Sequence, residues 1–281
     1  MRVGRLAGLL ALVLALLVSG CTDGNHRSAP EVVVGAWPDA ESRLLADVYV
    51  SALRSYGFAA RSETADDPMA KLDSGAFTVV PAFTGRVLQR LKPGVAVTSD
   101  SQVYRAMIAM LPEGVVAGDY TTSAEDKPAL VVTPASGGKE LSALAGRCDG
   151  LVVGNVAGFD APSWVGTCRM PAPREFSGGT EMWAALRAGE LTAAWSTTAD
   201  PGIPADLVVL TDAKPPLIQA ENVVPLYRRN ALTDRQVLAL NEVAGVLDTA
   251  ALTEMRRRVA GGADPRAVAD GWMGEHPLGR S

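Results

Sequence analysis

From residue 31 onward, short β-branched runs alternate with stretches whose apolar residues recur every three to four positions. A compact apolar run between polar or Gly residues predicts a buried strand, and the 3.6-residue period predicts a helix with one buried face. Residues 31–35 read as the first strand. Residues 39–56 read as a helix with its core face at Leu44, Leu45, Val48, Tyr49, Ala52 and Leu53, stopped by Gly57. A strand over 58–62 follows, then a short helix opened by Asp67 and Pro68 and closed by Gly75. The pattern continues with a strand over 77–80, helices over 83–91 and 101–110, and a strand over 129–133 that suits a passage between two lobes. A second set comprises a helix over 139–145, a strand over 151–153, a helix over 180–188 stopped by Gly189, and strands over 193–197 and 207–210. After a return strand over 223–227 the chain is helical. Thr233 and Gln236 form a capping-box pattern ahead of Val237, Leu240 and Val243, a helix covers 250–259, and Asp264 with Pro265 opens the last one. This alternation predicts an α/β protein with helices on a mainly parallel sheet.

The first 30 residues follow a different pattern. Arg2 and Arg5 precede 13 uninterrupted apolar residues, 6–18, too few to span a bilayer and suited to the core of an export signal. The residues Leu17, Val18, Ser19, Gly20 and Cys21 resemble the lipobox of bacterial lipoproteins, in which the cysteine is acylated and becomes the new N-terminus. Residues 22–30 are polar and aperiodic, a tether between the anchor and the fold. Export places Cys148 and Cys168 where thiols oxidise, and the two are expected to pair, closing a loop of about 20 residues.

Composition narrows the chemistry. At 48% hydrophobic and 20% charged the chain can build a core, which excludes a disordered or fibrous protein. With 26 basic against 31 acidic residues, and no dense basic tract besides Arg256, Arg257 and Arg258, it lacks the cationic surface that a nucleic-acid partner needs. The only histidines, His26 and His276, sit in the tether and near the C-terminus, which leaves histidine-based catalysis or metal binding without candidates.

Five segments carry a family resemblance: VVVGAWPDAESRLLADVYVSAL from Val32, VVPAFTGRVL from Val79, TAAWSTTADPGIPADLVVLTDAK from Thr192, NVVPLYRR from Asn222, and the helical tail. In order and spacing they resemble the glycine-betaine/choline (osmoprotectant) substrate-binding family of ABC importers. The resemblance implies a two-lobe, periplasmic-binding-protein-like (type II) α/β fold with two crossing strands. Lobe I would be residues 31–130 plus 223–281, and lobe II 131–222, behind a signal peptide over 1–20 and a lipidated tether over 21–30. It implies an extracytoplasmic, lipid-anchored, monomeric protein that captures a small polar or zwitterionic solute between the lobes and hands it to a membrane permease, with no catalytic residue, cofactor or metal. Family members hold a quaternary ammonium against aromatic faces, since such a cation donates no hydrogen bond.

Carried over residue by residue, the resemblance selects Trp37, Phe83, Arg86, Asp126, Trp195, Thr197 and Thr198 as ligand-binding positions. The ring at Phe83 and the acid at Asp126 match the family pattern, Trp195 is displaced by one residue, and other positions depart from it. Arg86 stands where the family has a threonine, Trp37 where it has a lysine, Pro128 where it has a cage tyrosine, and Glu221 where it has an aromatic ring. Arg86 is equally readable as a surface arginine. Trp183 and Trp272 read as core, Trp164 has no argument for the cleft, and Tyr120 is a rim position. Two rival readings remain: a sensor or accessory lipoprotein with a degenerate pocket, and an exported envelope hydrolase, for which the sequence offers neither a GxSxG elbow nor an HExxH helix.

Overall fold

A computed structural model describes residues 31–145 and 150–279. Two five-stranded sheets divide the chain between them. In the first, β1 (Val32–Ala36) lies between β2 (Ala60–Thr64) and β3 (Val79–Phe83), parallel to both, while β12 (Val223–Arg228) runs antiparallel between β3 and β4 (Val115–Ala117). The valines of β1 serve two cores. Val32 and Val34 face one side with α1 (Ala40–Ser55), and Val33 packs on the other. Asp39 starts α1 by accepting the Ser42 N–H at 2.8 Å, and Leu44, Leu45, Val48, Tyr49, Ala52 and Leu53 are all buried as their spacing requires. Against this helix pack α7 (Asp234–Val246), whose capping box forms, α8 (Thr249–Ala260) and α9 (Pro265–Glu275). The opposite face carries α2 (Pro68–Ser74), α3 (Thr84–Leu91) and α4 (Asp100–Ile108).

The second sheet has the order β11 (Val208–Val209), β5 (Pro128–Val132), β10 (Ala193–Thr197), β6 (Val153–Val156), β9 (Arg174–Phe176). One face is covered by α6 (Gly179–Arg187) through Met182, Trp183 and Leu186. The other is covered by Leu141 of α5 (Leu141–Ala145), Ile218, and the hairpin of β7 (Trp164–Val165) and β8 (Cys168–Arg169). Cys168 is buried in that hairpin. Its expected partner Cys148 lies outside the described residues, as do the signal segment and Cys21.

The sheets are mixed rather than mainly parallel, because β12 re-enters the first sheet antiparallel to β3 and β10 runs antiparallel to β5. The strand over 128–132 belongs wholly to the second sheet, so the chain passes over in the residues just before it. The two passages touch: Glu125 bridges to Asn222, and the Asp126 N–H donates to the Glu221 carbonyl at 2.9 Å. Thr198, just after β10, ties on to the first of them, its hydroxyl donating to the Glu125 carbonyl and accepting from the Lys127 N–H.

Candidate functional site

The carboxyl ends of β1 and β3 in one lobe, and of β6, β9 and β10 in the other, point toward the paired crossings, the edge where open α/β sheets receive ligands. Five ionisable side chains converge there. Arg86, in the first turn of α3, contacts Glu41 at 3.0 Å and Asp126 at 2.8 Å while its guanidinium lies 4.2 Å over the Phe83 ring. Arg256 of α8 reaches the same two carboxylates at 2.8 and 2.9 Å, and the Ala199 N–H donates to Asp126 as well. Glu221 accepts the backbone N–H of Arg86 at 2.8 Å and so supplies the N-terminal cap that Phe83 cannot give α3. Gly85 makes this approach possible, since a Cβ there would stand 2.6 Å from a Glu221 oxygen and 2.7 Å from the Ala220 carbonyl.

The charges do not balance: three carboxylates face two guanidiniums. Burial raises the Asp126 carboxyl, but Arg256, the Thr197 hydroxyl and Arg86 outweigh it and hold the group below the usual range. Glu41 is pushed up to about 7, first by burial and then by the Asp126 charge, with Arg256 and Arg86 opposing. Glu221 is likewise raised to about 7 by burial, against the Arg86 and Gly85 N–H groups and the Arg86 charge.

Two hollows flank this cluster. One, of about 510 Å³, opens at the carboxyl edge of the second sheet and is walled by the rings of Phe159, Trp183 and Trp195, by Thr197 and Asp200, and, from the first lobe, by Arg256. It falls within the size range of small-ligand sites. Trp195 is 1% exposed, and its indole N–H has no hydrogen-bond partner among the described residues. Trp183 sets its indole nitrogen against the first turn of α6 at Gly179. The other hollow, of about 570 Å³, lies in the first lobe between the sheet, α2 and α3, with Trp37, Met69, Phe83 and Arg86 in its wall and an Arg90–Asp67 pair of 2.9 Å on its lining.

The sequence-selected residues therefore separate. Trp37, Phe83 and Arg86 line the first-lobe hollow, Trp195 and Thr197 line the second-lobe one, and Asp126 lies between, occupied by two arginines. Thr198 has its hydroxyl committed to the first crossing, and Phe83 has one ring face covered by Arg86. Arg86 is neither a free surface arginine nor an open ligand contact. Trp183 is buried as expected of a core residue, yet it also walls the cavity. Trp272 packs in the core stacked on His276, Tyr120 lies tilted against the Tyr104 ring outside both hollows, and Trp164 is 56% exposed. Glu41, Phe159 and Arg256 were not marked by the sequence. Nothing local distinguishes Arg256 from Arg257 or Arg258 except burial, 20% side-chain exposure against 57% for Arg257. Among the described residues no cluster suited to a metal ion occurs, and no helix is long and apolar enough to cross a membrane.

Comparison with known proteins gives the arrangement a context. Residues 172–275 match a family model described as the substrate binding domain of an ABC-type glycine betaine transport system. The fold matches apo YehZ from Escherichia coli with a TM-score of 0.70 at 17% identity, over 88% of this chain and 99% of that one. It matches a glycine betaine/carnitine/choline ABC transporter structure with a TM-score of 0.71 at 16% identity, over 87% and 98%. Lactococcal OpuAC, closed on glycine betaine, gives 0.52 at 13% identity, over 88% and 96%. No curated protein matches the chain in sequence. The type II two-lobe fold is thus established over most of the chain. The resemblance read from the five segments is borne out by the family model within its matched residues.

Proposed function

We propose that this protein is the extracytoplasmic solute-binding component of an ABC importer and captures a small polar or zwitterionic solute of the glycine betaine or choline type. The observation that carries the reading is the second-lobe cavity, lined by three aromatic residues of one lobe and a single arginine contributed by the other. Phe159, Trp183 and Trp195 offer π faces to an alkylated ammonium, and Arg256 offers donors to a carboxylate. A zwitterion satisfies both walls at once and holds the lobes together. The matched family model and the shared fold support the same reading.

The rest of the molecule is assigned around that role. The segment before residue 31 exports the chain and anchors it through acylated Cys21, lobe I comprises residues 31–130 with 223–281, lobe II comprises 131–222, and Cys148 pairs with Cys168. A thiol count on unfolded, unreduced protein tests the bridge: two free thiols besides any at Cys21 would reject it.

A thermal-shift panel of glycine betaine, carnitine and choline, with neutral sugars as controls, tests the ligand class. A solute at 100 times its dissociation constant adds about 2.7 kcal/mol, or about 5–10 °C in a fold of this size. Midpoints unmoved by every quaternary amine would overturn the reading.

A further inference from the structure

Arg256 is the cavity's one contribution from the first lobe among the described residues, and it is already engaged. Its Nη1 lies 2.8 Å from Glu41 Oε1 and 2.9 Å from Asp126 Oδ1. The two carboxylates differ in their support. Asp126 also holds Arg86 and the Ala199 N–H and is 1% exposed, so its negative charge is compensated from three directions. Glu41 has only the two guanidiniums, which it shares with Asp126, and that carboxylate faces it. Glu221, on the second crossing, draws further on the charge of Arg86. Every charged group that faces Glu41 is thus accounted for: Arg86 from α3, Arg256 from α8 and Asp126 from the first crossing.

A solute carboxylate arriving at Arg256 adds a fourth negative charge to a cluster with two positive ones. The cluster restores its balance at Arg256 most easily by protonating the less supported of the two carboxylates paired with that arginine. Building on the function proposed above, we propose that Glu41 is the exchangeable counter-ion of Arg256, taking a proton from solvent as a carboxylate-bearing solute binds, so that zwitterionic acids bind with proton uptake while carboxylate-free cations do not. The step is a proton transfer alone: water or buffer gives up H⁺, the Glu41 carboxylate becomes a carboxyl, and Arg256 exchanges its ion pair with Glu41 for one with the solute. Burial has already brought Glu41 to about 7, so little driving force is needed at neutral pH.

Calorimetric titration of the protein with glycine betaine and with choline, in paired buffers of different ionisation enthalpy, reads the protons directly. Near pH 8 glycine betaine should bind with an uptake rising toward one proton, falling close to zero near pH 5.5 where Glu41 is already protonated. Its affinity should therefore drop by up to about tenfold per pH unit above 7, while choline shows no such trend. Glu41→Gln should abolish the uptake and flatten the pH dependence while still binding, and Glu221→Gln should retain the uptake. Betaine binding near pH 8 with no buffer-dependent heat overturns the inference and leaves the functional reading intact, as does uptake that survives Glu41→Gln. Arg256→Ala that binds betaine as tightly as the unmodified chain removes Arg256 as the anion's partner and the inference with it. If neither solute binds, the functional reading falls first and the inference falls with it.

Discussion

Glu221 shows how one side chain can serve structure and electrostatics together. It carries a carboxylate that crosses from the second passage to cap α3, and Gly85 leaves the space it needs. The cap favours the charged form, and burial disfavours it more strongly, so the group sits near 7 beside Glu41. Both carboxyls are raised on folding, so the native state binds protons that the unfolded chain releases. Their stabilising contribution is full below about 4.5 and is lost as pH rises through about 7. Asp126, held below its usual range, works the other way only at acid pH. Urea midpoints should therefore fall between about pH 5 and pH 8. Glu221→Gln keeps an acceptor for the cap without the charge, and should unfold at a higher urea concentration than the unmodified chain near pH 8 and at about the same one near pH 5.5. A midpoint that rises with pH across that range would contradict the assignment.

At the level of elements, what the sequence declares and what it hides have physical causes. The long helices were legible because their signals are local and redundant: α1 has an Asp cap, a full buried stripe and a terminal Gly, and α7 has its capping box. Strands β4, β7, β8 and β9 span two or three residues and are too short to show a period. β6 was displaced toward its apolar flank because its centre is Gly154 and Asn155, which carry little strand propensity. Packing crowds that glycine, for a Cβ there would stand 2.6 Å from Leu191 Cδ1 and 3.0 Å from the Phe176 ring, and the buried Leu191 side chain would have to shift. Gly154→Ala should cost about 1–3 kcal/mol of unfolding free energy through overpacking. Gly138→Ala, where the nearest atom is 3.7 Å away, should change it little. Chemical denaturation of the pair distinguishes a crowded glycine from a permissive one. The candidate site was half legible for the same reason. Trp195 and Thr197 follow from a strand that reads clearly, whereas Arg256 enters the cavity from a helix some sixty residues further along the chain, by tertiary packing alone.

At the scale of the whole molecule, the two sheets communicate through the paired passages and through Arg256. The passages are laced together by the Glu125–Asn222 bridge and the Asp126 to Glu221 hydrogen bond. Asn222 fastens them to the first lobe, its side chain donating to the Thr121 carbonyl at 2.9 Å and its backbone exchanging hydrogen bonds with Thr84. Asn222→Ala removes a buried donor and strands the Thr121 carbonyl, at a cost of about 1–3 kcal/mol. Spin labels placed one on each lobe should then give a broader distance distribution than in the unmodified chain, and an unchanged width would show that the side chain has no part in aligning the lobes. Two independent cords would let one lobe slide, splay or rock against the other. Laced edge to edge, they behave as a single ribbon, stiff in its own plane and compliant in torsion. On the function proposed above, solute capture would then proceed along one rotational coordinate, bringing the rings of one lobe to the arginine of the other in the same register at each closure.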